Sequence, residues 1–287
     1  MHTPNVYFDT ATLESWLQED IGYLDLTSSL LQVGEEPARI AWRARSPIVA
    51  ACTEEVVRLL QSRQVSVIKH VPSGRQAVDG DVLVEAEGPA QALLDVWKVG
   101  QNLLEYACAV ATRTHDLVQA VKAINPQVGI LTTRKHPPGL RRVAIKATMA
   151  GGAWPHRLGL SETLLVFPQH RALLPGDGWE AVGMALRQHT GGLAEKKVVI
   201  EASTLEEALL AAEAGADVIQ FDKVTPASLR EWCPALRERH PGLKLLAAGG
   251  IRKENAADYA DSGVDGLVTS SLYYGPPADI GVSIGKA

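Results

Sequence analysis

Cysteine is scarce in this chain. The three present, Cys52, Cys108 and Cys233, lie far apart and form no C-x-x-C pair. An odd count at such spacing supports neither a disulfide framework nor a zinc site, and it suits a reducing compartment such as the cytoplasm. An excess of positive charge is lacking too: the net charge is −5 and no basic run occurs. That argues against nucleic acid and against a membrane surface as partners. No stretch of 18 apolar residues could span a bilayer. Residues 1–9 lack the basic segment and apolar run of a signal peptide. There is no G-x-G-x-x-G after a strand, no G-x-x-x-x-G-K-[ST] and no H-E-x-x-H. Low-complexity tracts and repeats of 20–50 residues are also missing.

With 287 residues, 46% of them hydrophobic, the chain can bury a large core, as one long α/β barrel or as two domains. Residues 10–32 read as a leading helix and turn, with Thr12 as cap and Leu13, Trp16 and Leu17 on one face. Short β-like runs at 38–44, 65–70 and 82–85 are broken by Gly and Pro, with one helix at about 53–62. This predicts a small α+β unit with an antiparallel sheet. A long helix at about 93–124 follows, stopped by Pro126. Apolar strands at 129–133, 163–167, 197–202, 218–222, 243–247 and 267–270 then alternate with helices such as 205–214 and 253–262. Continuous apolar strands of this kind indicate a parallel sheet covered by helices, a complete or incomplete (β/α) barrel.

Chemistry in such a barrel gathers at the C-terminal strand ends. The strand at 129–133 leads into Arg134, Lys135 and His136. Three potential cations there can grip a carboxylate or phosphate; a solvated loop, or a Schiff-base Lys135, are the alternatives. His156 and Arg157 follow Gly151-Gly152, where a ligand can approach closely; a helix cap or core hydrogen bond is the other reading. Glu201 and Asp222 end successive strands, a pairing that can hold Mg²⁺ or do acid–base work, unless one of them only pairs with Lys223. Gly249-Gly250 and Thr269-Ser270 end two later strands, where barrels commonly bind phosphate through backbone N–H groups. The overall negative charge means that an anionic substrate depends on such local cations.

Taken in order, these segments resemble quinolinate phosphoribosyltransferase. Glu19-Asp20-Ile21-Gly22-Tyr23-Leu24-Asp25-Leu26-Thr27 is similar to that family's E-D-x-G-x-x-D-x-T. Thr133-Arg134-Lys135 with Pro138-Gly139-Leu140-Arg141 is similar to D-T-R-K-T-x-P-G-L-R, and His156-Arg157-Leu158-Gly159-Leu160-Ser161 to the H-R-L-G-L-S of its N-H-R-L-G-L-S. The resemblance runs from about Glu19 to Tyr274. It implies an N-terminal α/β sandwich (residues 1–112), an open α/β barrel of the type II phosphoribosyltransferase kind (113–275) and a tail (276–287). It implies a homodimer with shared active sites and leaves room for a higher oligomer. The implied reaction moves phosphoribosyl from phosphoribosyl pyrophosphate to a heterocyclic acid with Mg²⁺ as cofactor. By position, Arg134, Lys135, His156 and Arg157 hold the heterocycle, while Glu201 and Asp222 address ribose and metal. Lys135 joins these two acids as a catalytic candidate. The Gly249, Gly250 and Ser270 loops take the 5′-phosphate, and Lys98 falls where the family has an arginine that reaches into the partner's site.

Departures from the pattern are as specific as the matches. Phe167 stands where the family has a lysine for a quinolinate carboxylate, His136 where it has threonine, Lys98 for the cross-subunit arginine, Ala248 for a serine and Ser270 for a glycine. Losing a cation opposite a buried carboxylate costs roughly 2–5 kcal/mol. An acceptor less anionic than quinolinate is therefore expected. With the segments 165–171 and 268–274, the substitutions place the resemblance nearest the ModD branch, whose members are linked to molybdenum-transport loci. Three other functions stay open at this level. They are true quinolinate phosphoribosyl transfer, a phosphate-binding barrel lyase or aldolase using Lys135, and a non-catalytic oxyanion-binding protein.

Overall fold

The chain divides into two units, each built from more than one stretch of sequence. A computed structural model describes residues 6–287; Met1–Asn5, the start of the segment searched for a signal peptide, lie outside the described residues. One unit holds the residues up to His115, then 136–152 and 272–287, and the other holds 116–135 and 153–271.

In the first unit, helix α1 (Thr10–Ile21) is capped by Asp9, whose carboxylate accepts from the Thr12 backbone N–H at 2.7 Å. Thr12 was the expected cap, but it sits in the first turn and its hydroxyl bonds Asp9 instead. Asp25 caps α2 (Leu26–Leu31) in the same way. Strands β1 (Pro37–Ala44), β2 (Ile48–Val49), β3 (Ser66–His70), β4 (Gln76–Ala77) and β5 (Val82–Pro89) flank helix α3 (Thr53–Ser62). Strands β3, β5 and β1 form an antiparallel sheet, as the alternating runs predict. Its fourth strand is Ile280–Lys286, which pairs along the whole of β1. Residues 276–287, expected as a tail, thus close a sheet edge that would otherwise present unpaired backbone groups. Helix α4 (Ala90–Ile124) begins in this unit, and α5 (Arg141–Ala150) returns to it. Cys52 and Cys108 are buried here and Cys233 in the second unit, all as free thiols.

Beneath α5 lies a buried ionic cluster. Lys146 Nζ is 2.6 Å from Glu55 Oε2 and 2.8 Å from Glu54 Oε2. Glu54 also accepts from the Ser73 hydroxyl and backbone N–H. Burial pushes the Glu54 carboxyl upward, but the hydrogen bonds from Lys146 and Ser73 outweigh it and hold it at about 2.

The second unit carries one sheet of seven parallel strands in the order β7-β6-β12-β11-β10-β9-β8. These are β6 (Gly129–Thr132), β7 (Trp154–Pro155), β8 (Leu164–Val166), β9 (Val198–Ala202), β10 (Val218–Asp222), β11 (Lys244–Ala248) and β12 (Gly266–Thr269). The sheet is open, and the eight residues 156–163 link its two edge strands. Helices α6 (Pro168–Arg171), α7 (Trp179–Gln188), α8 (Leu205–Ala214), α9 (Pro226–Arg239) and α10 (Ala256–Ala260) lie between its strands along the chain. The expected helix at 253–262 is shortened to α10, because Arg252 to Asn255 form a turn in which Asn255 Oδ1 accepts the Arg252 N–H. No helix among the described residues is long and apolar enough to cross a membrane.

Replacing Lys146 with Met should cost about 3–5 kcal/mol in urea denaturation, because Glu55 would keep a buried charge without a partner. Glu54 is depressed in the folded state, so its contribution to stability is complete above about pH 4.5 and lost as pH falls towards about 2. Glu54→Gln should flatten that stretch of the stability profile.

Candidate active site

In a parallel sheet all C-terminal strand ends share one edge, and successive residues on a strand face opposite sides. Phe221 turns to the helix side, its ring 5.9 Å from that of Trp232 on α9. Gln220 and Asp222 therefore face the other side, where a cleft of about 730 Å³ opens over the strand ends. Leu131, Val218, Leu246, Ala248 and Val268 form an apolar floor on the sheet.

Cations gather on one part of this cleft. Arg134 and Lys135 follow β6, where the Thr133 hydroxyl accepts the Lys135 N–H at 3.2 Å. His156 is fixed beside them by its backbone N–H to Thr132 O at 2.9 Å. Arg157 is only 8% exposed. Among the described residues none of Arg134, Lys135 and Arg157 has a carboxylate within ion-pair distance. Burial and the neighbouring Arg134 both disfavour the Arg157 cation and lower its pKa, yet a guanidinium stays charged at neutral pH. Burial and Arg157 also lower the pKa of His156, so this ring acts as neutral imidazole rather than as a cation.

The carboxylates sit at the ends of β9 and β10. Glu201 is the register partner of Gln220, and Gln220 Nε2 donates to Glu201 Oε2 at 3.0 Å. Burial and then repulsion by Asp222 raise the Glu201 pKa. Lys223 Nζ is 3.8 Å from Asp222 Oδ2, so the pairing weighed from the sequence does occur, loosely and at the surface. Among the described residues no group of three His, Cys, Asp or Glu could hold a metal ion. Glu201 and Asp222 do fit Mg²⁺, which takes one or two carboxylates and completes its octahedron with water and phosphate oxygens.

At the end of β11, Gly249 and Gly250 adopt φ values of +88° and +73°. A Cβ on Gly249 would lie 2.5 Å from Lys223 Cγ and 2.7 Å from Asp222 Oδ1. The turn is held by Thr269, whose hydroxyl donates to Ile251 O at 2.7 Å, and by Asn255 Nδ2 to Gly250 O at 3.1 Å. Ser270 lines the cleft next to it, and Phe167 lies on the wall near β8, its ring stacked on His170 at 5.7 Å.

His136, and Lys98, which was expected in a partner's site, do not line the cleft. Lys98 lies on α4 in the first unit, where it bonds Gln101 at 3.3 Å and covers the Trp97 ring. His136 also belongs to the first unit, where it meets Tyr273 edge-on and its Nδ1 contacts Pro137 O at 3.2 Å. Conversely, Gln220, Lys223 and Arg252 line the cleft and were not assigned to it from the sequence. Gln220 had a signal: it is the one polar residue inside an apolar strand, two positions before Asp222 and so on the same face.

Comparison with known proteins gives one direction. Residues 25–108 match the family model for the N-terminal domain of quinolinate phosphoribosyl transferase, and residues 110–283 match that for its C-terminal domain. The ModD protein of Rhodobacter capsulatus is 38% identical over 249 residues, 87% of this chain and 95% of that protein. The nicotinate-nucleotide pyrophosphorylase (carboxylating) of Rattus norvegicus is 30% identical over 268 residues, 93% and 88% of the two chains. The crystal structure of nicotinate-nucleotide pyrophosphorylase from Ehrlichia chaffeensis shares the fold with a TM-score of 0.87 at 21% identity, covering 97% of this chain and 99% of that one.

Gly249→Ala forces a left-handed residue against backbone and carboxylate. It should destabilise the protein by about 1–3 kcal/mol in thermal unfolding and weaken binding of inorganic phosphate. Unchanged melting and phosphate affinity would show that the turn tolerates a side chain.

Proposed function

The chain belongs to the quinolinate phosphoribosyltransferase family, and from that premise we propose that it moves the 5-phosphoribosyl group of phosphoribosyl pyrophosphate onto the ring nitrogen of a heterocyclic acid. The observation that carries this reading is Arg157, a buried guanidinium beside Arg134 that has no carboxylate within ion-pair distance among the described residues, Glu162 acting on it only from farther away. Two cations so placed call for an anion from the ligand. In the transfer, the nitrogen lone pair forms a bond to ribose C1 as the C1–O bond breaks and its electrons leave with pyrophosphate.

Arg134 and Arg157 orient the acceptor's carboxylate, and neutral His156 offers it a hydrogen bond. Lys135 balances the charge that grows on the departing pyrophosphate. Glu201 and Asp222 face the pentose, where positive charge builds at C1, and accept from its hydroxyls. Backbone N–H groups around Gly249, Gly250 and Ser270 take the 5′-phosphate. Mg²⁺ held by Glu201 and Asp222 would supply further neutralisation of the pyrophosphate. Phe167 gives the wall an apolar surface in place of a cation. The acceptor therefore carries fewer carboxylates than the two of quinolinate.

The reading extends to a homodimer in which Lys98 serves the partner's site. The exposed Leu24, Leu26, Leu30 and Leu31 around α2 support a buried interface. Three buried free thiols support a reducing, cytoplasmic setting.

A screen of pyridine, pyrimidine and pterin carboxylates should find one that releases pyrophosphate from phosphoribosyl pyrophosphate. If the donor neither raises the melting temperature nor is consumed with any of them, the reading fails. Arg157→Ala should lower kcat/KM by roughly 30-fold or more, and Phe167→Lys should raise quinolinate-dependent release. The raised Glu201 pKa puts the acidic limb of kcat/KM above the usual glutamate value of 4.5, because activity needs the ionised form and falls as that form is protonated. Mixing Lys98→Ala and Arg134→Ala proteins should restore part of the activity that each lacks. No recovery on mixing would rule out shared sites.

A further inference from the structure

Gln220 is 5% exposed, on the cleft face of β10. Its Nε2 donates to Glu201 Oε2, which sets the orientation of the amide, since the flipped form would turn a carbonyl towards a carboxylate. That leaves Oε1 buried and without a hydrogen-bond partner among the described residues. The surroundings make this acceptor conspicuous. Val218, two residues earlier on the same face, packs with Leu246 and Val268, so the local floor offers no donor.

Three acceptors therefore stand together at the ends of β9 and β10: the Glu201 carboxylate, the Asp222 carboxylate and Gln220 Oε1. A heterocyclic carboxylate would be repelled here, and an ionised phosphate brings no donors. Hydroxyl groups bring donors without charge. We propose that Gln220 is a positioning and specificity-determining residue for the pentose, its Nε2 fixing Glu201 and its Oε1 accepting a hydrogen bond from a ring hydroxyl. The inference rests on the phosphoribosyl reading and adds to it a residue that reads the sugar rather than its phosphates. An unpaired buried acceptor penalises a ligand that lacks the matching donor by roughly ten-fold or more.

The test is calorimetric titration of the full chain with ribose 5-phosphate and with its 2-deoxy and 3-deoxy forms, with thermal unfolding alongside, for the wild type and Gln220→Met. The wild type should lose roughly ten-fold in affinity for at least one deoxy sugar. Gln220→Met should bind ribose 5-phosphate weakly and lose that discrimination. Loss of that discrimination at an unchanged melting temperature is a result that a purely structural glutamine would not give. If Gln220→Met keeps the wild-type affinity and discrimination, the proposal is wrong while the phosphoribosyl reading stands. If the wild type binds neither these sugars nor phosphoribosyl pyrophosphate, the phosphoribosyl reading itself falls, and this inference with it. Should Gln220→Met fail to fold, equal wild-type binding of all three sugars would overturn the proposal on its own.

Discussion

The parallel hydrogen-bond ladder of the second unit is the constraint on which the site depends. Register places Glu201 opposite Gln220, Asp222 opposite Ala248, and Ala248 opposite Val268. Because every strand runs the same way, residues as far apart in sequence as Thr133 and Ser271 reach one edge. A single-residue slip in β10 would turn Gln220 and Asp222 into the helix layer and bring Phe221 into the cleft. The chemistry is thus only as precise as the apolar packing that fixes the register.

Within that edge, Lys223 makes a loose surface contact with Asp222, and the other charges lie towards opposite ends. Arg134, Lys135 and Arg157 stand on the β6–β7 side, and Glu201 and Asp222 on the β9–β10 side. Elsewhere buried charges are neutralised internally, as Lys146 is by Glu54 and Glu55. Among the described residues Arg157 has no carboxylate within ion-pair distance, and Glu201 is pushed towards its neutral form by burial and by Asp222. A ligand that presents carboxylate or phosphate at one end and hydroxyls at the other satisfies both halves together, and that complementarity overcomes the repulsion expected from a net charge of −5.

The strand ends were legible in the sequence because fully buried parallel strands read as apolar runs closed by a single polar residue. Glu201, Asp222 and Gly249-Gly250 stood out for that reason, and Arg134, Lys135, His156 and Arg157 for their clustering. Other features were hidden by their physics. The apolar face of α5 consists of small residues, Val143, Ala144, Ala147 and Ala150, beside two arginines, so its periodicity is weak. Helix α9 carries Pro234 inside it. The last strand alternates around Gly281 and Gly285, which lower its β signal. The Lys146 cluster joins residues 92 positions apart, a pairing that no local pattern announces. His136 looked like a third cation beside Arg134 and Lys135, but the chain changes units between Lys135 and His136.

That change of units has a consequence for how the protein is made. The first unit needs residues 136–152 for the lysine of its ionic cluster and Ile280–Lys286 for its fourth strand. A ribosome delivers these pieces on either side of nearly all of the second unit. The antiparallel sheet therefore waits with β1 unpaired on one edge while residues 153–271 emerge, and Glu55 waits for Lys146, 91 positions further on. Folding from the N-terminus inward cannot finish the first unit ahead of the second. Neither unit is a contiguous cassette that gene fusion could lift out or exchange, so the two have to be inherited together.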